Sequence, residues 1–234
     1  MKNLLLNIKQ FMFPASCVLC KKILIDTDEI RFGLCRECSK SISDINGAKC
    51  SICGKPLISE IDTCLPCRNR EGFSYDRLWT LYPYTGNYRK LLASYKFNKN
   101  LSLGAFFANK ILCILKENSC LNDAQIIPVP PRPGKIKDSG WDQVDYLLSM
   151  LKKAGMEHPV NRCLKRTKSR VQKSLNRQER LENLKGKIYL DGVSPKIAFL
   201  IDDVITTGST MEVCASALKQ GGAQNVYGLC LFYD

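Results

Sequence analysis

The residues best suited to chemistry in this chain lie together near its carboxyl-terminal end. An apolar run, Ile197 to Ile201, is followed by two carboxylates, Asp202 and Asp203, and then by a hydroxyl-rich loop around Gly208. A helix is predicted after the loop, from Met211 to Gln220. This order indicates a buried strand that leads into a helix through a turn of phosphate size. The glycine lets backbone N–H groups approach an anion closely, and the helix N-terminus adds partial positive charge.

The paired acids narrow the choice of ligand. Two carboxylates beside a phosphate repel it unless they face hydroxyl groups or a metal ion. A ribose 5-phosphate supplies both kinds of group, with the diol on Asp202 and Asp203 and the phosphate on the loop. A plain helix cap by Ser209 or Thr210 is the alternative, but the full order of acids and hydroxyls makes it the weaker interpretation. A Walker-B strand is excluded because no Gly-x4-Gly-Lys-Ser/Thr loop occurs upstream.

Length and composition are those of one ordinary domain with a small appendage. The chain has 234 residues, and 45% of them are hydrophobic, which is normal for a folded core. No apolar stretch approaches the ~18 residues that span a bilayer. Residues 1–14 are too polar for a signal peptide and are predicted to form an amphipathic helix. We therefore expect a cytoplasmic protein with no membrane span.

The charge is strongly positive and unevenly distributed. The formal net charge is +13, and residues 162–187 alone hold ten basic residues against two acidic ones. This stretch indicates a polyanion or a phosphorylated small molecule as the partner. A solvated loop would explain the same charges, and the two interpretations are compatible.

Eight of the thirteen cysteines form four Cys-x-x-Cys pairs, separated by 14, 11 and 10 residues, within the range of zinc ribbons. Each pair offers two thiolates from one knuckle, so eight ligands make two structural metal sites. The pairs are Cys17/Cys20, Cys35/Cys38, Cys50/Cys53 and Cys64/Cys67.

Zinc is the predicted metal at both sites. Iron in a rubredoxin-like site is an alternative, since four thiolates also suit iron. Adjacent pairs most simply share a metal, although a crossed pairing stays open. A disulfide framework is disfavoured without a secretory signal. Because about 50 residues are too few for a good hydrophobic core, metal binding would supply the folding energy of this region.

The rest of the chain alternates predicted strands with predicted helices. Such alternation favours a mostly parallel sheet with helices on both faces, and it places the site at the carboxyl ends of the strands. The predicted strands are Tyr75–Tyr84, Ile126–Val129, Lys187–Leu190 and Asn225–Phe232, and the predicted helices are Tyr88–Phe97, Leu101–Lys116 and Val144–Ala154.

Taken together, these motifs resemble the ComF family, phosphoribosyltransferase-like proteins linked to bacterial competence and DNA uptake. Residues 199–210 resemble the phosphoribosyl-pyrophosphate (PRPP) motif of type I phosphoribosyltransferases, and the cysteine pairs resemble the family's double zinc ribbon. Ser139 stands where the family pattern has an arginine. The other segments that carry the resemblance are Tyr95-Lys96-Phe97, Ile126 to Pro130, Gly140 to Gln143 and the pattern from Arg166 to Asn183.

The resemblance covers essentially the whole chain and implies its domain organisation. An α/β domain, with a type I phosphoribosyltransferase-like parallel sheet flanked by helices, would occupy residues 73–234. The small double zinc ribbon would occupy residues 15–72, after the amphipathic helix of residues 1–14.

The resemblance also implies roles for individual residues. Asp202 and Asp203 would hold the ribose 2′ and 3′ hydroxyls and serve as the catalytic residues, with Mg²⁺ bound alongside PRPP. Lys96 and Arg132 would contact the pyrophosphate. The 5′-phosphate cradle would consist of Thr206, Thr207, Gly208, Ser209 and Thr210. The basic loop that closes over PRPP or binds DNA would present Arg166, Lys168, Arg170, Lys173, Arg177 and Arg180.

Two functional hypotheses follow. In the first, the protein is a phosphoribosyltransferase that acts in natural competence on an unidentified acceptor. In the second, it is a catalytically inactive module that binds single-stranded DNA beside the helicase machinery of DNA uptake, with PRPP as a regulatory ligand; the basic residues and Trp141 fit this role. A glutamine-dependent amidophosphoribosyltransferase is excluded, because such enzymes need an N-terminal cysteine nucleophile and residue 2 is Lys2.

Overall fold

The computed structural model describes residues 14–43, 47–69, 72–168 and 177–234. The helix predicted at residues 1–14 falls almost wholly outside these ranges, as do Arg170 and Lys173 of the basic stretch. Arg177 and Arg180 are described by their backbone alone. Within the described ranges, no helix is long and apolar enough to cross a bilayer.

The described strands form a central sheet and a small ribbon. They are β1 (Arg77–Pro83), β2 (Gln125–Pro128), β3 (Leu164–Arg166), β4 (Ile188–Leu190), β5 (Ile197–Ile205) and β6 (Asn225–Tyr233). The central sheet has the spatial order β1-β6-β5-β2, and every neighbouring pair in it is parallel. β3 and β4 pair antiparallel as a separate ribbon.

Helices connect the strands and cover both faces of the sheet, as the sequence predicted. The described helices are α1 (Thr27–Phe32), α2 (Arg36–Ser43), α3 (Leu65–Arg68), α4 (Gly86–Lys96), α5 (Ser102–Glu117), α6 (Lys135–Ser139), α7 (Gln143–Lys153), α8 (Arg177–Leu184) and α9 (Ser209–Gln220). α4, α5 and α7 pack on one face of the sheet, and α9 packs on the other.

β5 lies at the centre of the hydrophobic core. Phe199 and Ile201 pack toward α4, α5 and α7, whereas Leu200 packs toward α9. All three side chains are fully buried, and burial of each contributes ~1.5–3 kcal/mol. Since both faces are covered, the strand appears in the sequence as a continuous apolar run rather than as an alternating pattern.

β5 extends further than the apolar run predicted. Val204 lies opposite Phe232 and Ile205 lies opposite Tyr233, so the strand includes both acids and ends four residues after Ile201. Hydrophobicity alone could not show this, because pairing with β6 continues through polar positions. The acids therefore lie on the rigid sheet rather than in the loop.

The basic stretch at residues 162–187, for which an anion-binding segment and a solvated loop were compatible interpretations, contains both β3 and α8. A three-residue strand is too short to produce a recognisable alternation, and α8 has only two apolar residues, Leu181 and Leu184, in its sequence. The sequence therefore carried too weak a periodic signal for either element.

The first four-cysteine group packs against the main core. Its buried Cys17 and Cys35 belong to the same hydrophobic cluster as Phe106 of α5. α1 lies against α5, with Phe32 in edge-to-face contact with Phe106 at a centroid distance of 6.2 Å. The first four-cysteine group and the sheet domain thus share one core.

The second four-cysteine group covers the free edge of β1. The Leu78 N–H donates to the Ile52 carbonyl at 2.8 Å, and the Thr80 hydroxyl donates to the Gly54 carbonyl at 2.7 Å. Gly54 has a φ of +69°, and a Cβ built there would lie 2.5 Å from the Leu78 carbonyl oxygen. Only glycine fits, and the contact blocks an edge strand that would otherwise be open to other chains.

Candidate functional site

The loop after β5 is built around Gly208. This residue has a φ of +77° and caps α9 without a side chain, so the alternative interpretation, a plain helix cap by Ser209 or Thr210, is not the arrangement found. The Thr207 and Ser209 hydroxyl oxygens lie 2.9 Å apart, and the Ser209 N–H points to the Thr207 hydroxyl at 3.4 Å. Backbone N–H groups of the first helical turn and two hydroxyls are thereby gathered at a positive helix end, which suits an anion.

A small cavity of about 30 Å³ lies in this loop, lined by residues 204–211 and by Asp202. This volume exceeds the ~10–15 Å³ that one water needs. The walls include all five residues predicted to cradle the 5′-phosphate, from Thr206 to Thr210. The structure therefore brings the predicted cradle residues together around one space next to an acid.

The two acids have different surroundings although they are adjacent. Asp203 is buried, and its Oδ2 lies 2.5 Å from the Lys96 ammonium nitrogen. Asp202 is half-buried, and its Oδ1 accepts a hydrogen bond from the Asp203 N–H at 2.8 Å. One carboxylate is thus engaged by a cation, and the other by the backbone.

These surroundings separate the pKa values of the two acids. Burial, together with the negative charge of Asp203, raises the pKa of Asp202 to about 7. Burial also acts to raise the pKa of Asp203, but the Lys96 and Lys135 ammonium groups outweigh it and hold that pKa below its ordinary value. At neutral pH the site therefore contains one fully ionised carboxylate and one that can gain or lose a proton.

The charges of three cations act on the two acids. Besides Lys96, the charge of Lys135 acts on both carboxylates, and the charge of Arg166 on β3 acts on Asp202. Lys135 is itself held by Asp142, with 2.8 Å between Nζ and Oδ2. Three such cations attract a ligand group that carries several negative charges, such as a diphosphate.

The backbone of Lys96 is fixed by contacts between α4 and α7. The hydroxyl of the fully buried Tyr95 donates to the Gln143 carbonyl at 2.7 Å, and the Gln143 side-chain amide donates to the Lys96 carbonyl at 3.5 Å. Trp141 contacts Tyr95 edge-to-face at a centroid distance of 5.3 Å. Two segments far apart in the sequence thus form one support for the site.

The remaining predicted residues lie around this centre. Arg132 is exposed and forms an ion pair with Asp138 at 3.0 Å. Lys168 is exposed just after β3. Trp141, predicted to stack on bases, is half-buried and also contacts Tyr146 edge-to-face at 5.8 Å, so its ring is part of the packing of α7.

Sequence reasoning missed Lys135, Asp142 and Gln143 as parts of the site. Asp142 was detectable, because its carboxylate caps α7 by accepting from the Val144 and Asp145 N–H groups at 2.9 and 3.0 Å. For Lys135 no sequence signal existed, since its role depends on where α6 lies relative to β5.

A larger cavity of about 240 Å³ is lined by residues of both β2 and β3. Its lining includes Pro128 to Pro131, at and just after the end of β2, the cations Arg162, Lys165 and Arg166, and the acids Asp142 and Asp145. Arg166 lines this larger cavity, and its charge acts on Asp202, which lines the smaller one. The larger cavity can therefore hold a second molecule in addition to a ligand bound in the loop cavity.

Each four-cysteine group has the geometry of a tetrahedral metal site. The sulfur atoms within each group lie within 4.8 Å of one another. The Cys20 and Cys35 sulfurs are 3.6 Å apart, and the Cys53 and Cys64 sulfurs are 3.7 Å apart. A Zn–S bond of ~2.3 Å gives an S–S separation of ~3.8 Å in a tetrahedron, so the residues fit zinc. The groups combine adjacent pairs, which confirms the sequential pairing over the crossed one.

Comparison with known proteins agrees with both parts of the chain. Residues 8–68 match the family described as the double zinc ribbon domain. The competence protein ComFC of Streptococcus pneumoniae (strain ATCC BAA-255 / R6) is 29% identical over 82% of this chain and 84% of that protein. The competence protein F of Haemophilus influenzae is 26% identical over 83% of this chain and 87% of that protein. The resemblance to the ComF family is confirmed.

A third relative matches almost the entire chain. The DNA utilization protein YhgH of Escherichia coli (strain K12) is 25% identical over 93% of this chain and 96% of that protein. The matches with these relatives therefore extend well beyond the double zinc ribbon of residues 8–68.

Proposed function

We propose that this ComF-type protein binds PRPP at the carboxyl end of β5 and transfers its phosphoribosyl group during natural competence or DNA utilization. The observation that carries the proposal is that Asp202 lines one cavity together with the hydroxyl-rich loop, while the charges of three cations act on Asp202 and its neighbour Asp203. The names of the relatives, which refer to competence and DNA utilization, support the biological setting.

The three parts of PRPP match three parts of the site. The 5′-phosphate fits the cavity at residues 206–210, where the helix N-terminus and hydroxyls favour an anion. The ribose diol fits the two carboxylates, which accept hydrogen bonds from hydroxyl groups. The pyrophosphate faces Lys96, Lys135 and Arg166. Mg²⁺ would neutralise part of the pyrophosphate charge, and the carboxylates of Asp202 and Asp203 are the hard oxygen ligands available to it.

The transfer follows from this placement. The bond between ribose C1 and the pyrophosphate oxygen breaks, and the electron pair leaves on the pyrophosphate. A lone pair of the acceptor then forms the new bond to C1, and the acceptor proton passes to water. The cations stabilise the charge that develops on the leaving group, while the acids hold the ribose as C1 becomes positive. The cavity of about 240 Å³ beside Arg166 has room for the acceptor.

Calorimetric titration with PRPP and Mg²⁺ tests the binding step. Asp203→Asn should weaken PRPP by about tenfold or more, since a hydrogen bond to a charged group contributes ~1.5–3 kcal/mol. Asp123→Asn is a matched control, because Asp123 is an exposed acid that lies before β2, at the opposite end of the strands. Equal affinities in all three proteins would refute the proposed site.

A second function is favoured by two exposed cations at and just after β3. Lys165 lines the larger cavity and Lys168 follows it by three residues, and such a surface suits the backbone of single-stranded DNA, with PRPP as a regulatory ligand and the uptake helicase as a partner. Binding of a labelled oligonucleotide, measured by fluorescence anisotropy, should then weaken steeply as salt is added. It should weaken further in the double variant Lys165→Gln/Lys168→Gln. PRPP turnover without salt-dependent DNA binding would exclude this function.

A further inference from the structure

The Lys96–Asp203 ion pair occupies the carboxylate that a ribose hydroxyl would need. The nitrogen–oxygen distance is 2.5 Å, and the side chains keep only 27% and 11% of their solvent exposure. Buried ion pairs of this kind are far harder to separate than exposed ones, because removing one partner leaves an uncompensated charge. A neutral hydroxyl therefore cannot displace the ammonium by itself.

Among the described residues no ion pair of this kind covers Asp202, so the two acids are not equivalent. Its Oδ1 is engaged by the Asp203 N–H at 2.8 Å, a contact that leaves carboxylate lone pairs for a ligand. A ribose diol that approaches the site meets one accessible carboxylate and one that Lys96 covers.

Lys96 can leave Asp203 without any movement of the backbone. Its carbonyl is bound by Gln143, and the preceding Tyr95 is anchored through its hydroxyl. The side chain, by contrast, is a flexible four-carbon stem that ends in a point charge. A strong anion in front of the site can therefore draw the ammonium away, while Lys135 continues to act on Asp203.

We propose that Lys96 is a pyrophosphate-responsive gate that covers Asp203 until a diphosphate draws it away. This inference rests on the proposed function and adds a source of specificity to it. A ligand with a pyrophosphate group opens the second carboxylate for its own ribose, whereas ribose 5-phosphate leaves it covered. Discrimination between the two then comes from the energy of the ion pair as well as from direct contacts with the pyrophosphate.

The experiment measures coupling between two fragments of PRPP on the full-length, zinc-loaded protein. Ribose 5-phosphate is titrated with Mg²⁺ in the presence and absence of saturating inorganic pyrophosphate. Two anions ordinarily weaken each other's binding by charge repulsion. The gate instead predicts that pyrophosphate increases the affinity for ribose 5-phosphate by about tenfold, and that ribose 5-phosphate increases the affinity for pyrophosphate by the same factor. This measurement needs no substitution, so it does not depend on whether a variant folds.

Lys96→Met then assigns the coupling to one side chain. In this variant the coupling should disappear, and the affinity for PRPP should fall. Ribose 5-phosphate alone should bind several-fold tighter than it binds to the unmodified protein. Lys99→Met is the matched control, since Lys99 is an exposed lysine three residues further along. It should keep the full coupling.

The outcomes separate the gate from the site itself. If PRPP binds but pyrophosphate fails to tighten ribose 5-phosphate, the gate is refuted and the proposed function stands. Coupling that persists in Lys96→Met also refutes the gate, as does a variant that weakens PRPP while leaving ribose 5-phosphate unchanged. If the unmodified protein binds neither PRPP nor ribose 5-phosphate, the proposed function fails together with the gate.

Discussion

The Tyr95 hydroxyl donates a 2.7 Å hydrogen bond to the Gln143 carbonyl, and this bond joins the end of α4 to the start of α7. Tyr95 is fully buried, so neither group can turn to water instead. Because Lys96 is the next residue along the chain, the bond fixes the point from which its side chain reaches Asp203.

Tyr95→Phe should therefore destabilise the protein and weaken PRPP. The Gln143 carbonyl loses its buried donor, which costs ~1–3 kcal/mol. A Tm measurement should show a decrease of several degrees, at ~2–4 °C per kcal/mol for a chain of this size. The matched control is Tyr146→Phe, whose hydroxyl donates to the Leu101 carbonyl at 3.2 Å in an exposed position. An equal Tm for the two variants would contradict the anchoring role of Tyr95.

The contact between Gly54 and β1 gives a second prediction. Gly54→Ala should destabilise the protein by more than the ~1–2 kcal/mol cost of a positive φ, because the new Cβ would lie 2.5 Å from the Leu78 carbonyl oxygen. Gly72→Ala is the control, since Gly72 has a similar φ of +62° and a Cβ built there has no atom of the described residues within 4 Å. The difference in Tm between the variants measures the steric part. Equal Tm values would contradict a close contact between Gly54 of the second four-cysteine group and the Leu78 carbonyl of β1.

Metal analysis tests the two four-cysteine groups separately. The purified protein should hold two zinc ions per chain, and Cys53→Ser should reduce this to one, because a tetrahedral site loses a buried ligand. Cys113→Ser should keep both ions, since Cys113 is exposed and belongs to neither group. A chelator should unfold the ribbon region, as its folding energy depends on metal. Iron in place of zinc would contradict the assignment.

The raised pKa of Asp202, about 7, predicts opposite effects of pH on stability and on binding. The folded pKa lies above the unfolded value of ~3.9, so the contribution of Asp202 to stability is full below that value and is lost as pH rises through about 7. At pH 8, Asp202→Asn should accordingly raise the free energy of unfolding by on the order of 1 kcal/mol relative to the unmodified protein. A higher Tm of the variant at this pH would show it.

Binding should change in the other direction, because a diol or Mg²⁺ prefers the ionised carboxylate. PRPP affinity should rise between about pH 6 and pH 8, centred on the Asp202 pKa of about 7. Phosphate groups of the ligand also titrate near pH 6, so Asp202→Asn serves as the reference that retains only the ligand's own titration. Identical pH profiles for the two proteins would exclude Asp202 as the titrating group.

Features encoded by contiguous residues were predictable from the sequence. The Cys-x-x-Cys pairs, the order of acids, hydroxyls and glycine at residues 202–210, and the alternation of strands with helices all depend on local spacing. Local spacing fixes which ligand atoms one knuckle offers and which way one loop turns. The family resemblance rests on these same segments.

The tertiary structure alone decided how the distant segments combine. It brought Lys96 to Asp203, grouped adjacent cysteine pairs on one metal site each, and placed Gly54 against the edge of β1. Lys96 and Asp203 are 107 positions apart, and no spacing rule connects them. Such contacts depend on strand order, register and helix packing, which arise from the burial of the whole core rather than from any single motif.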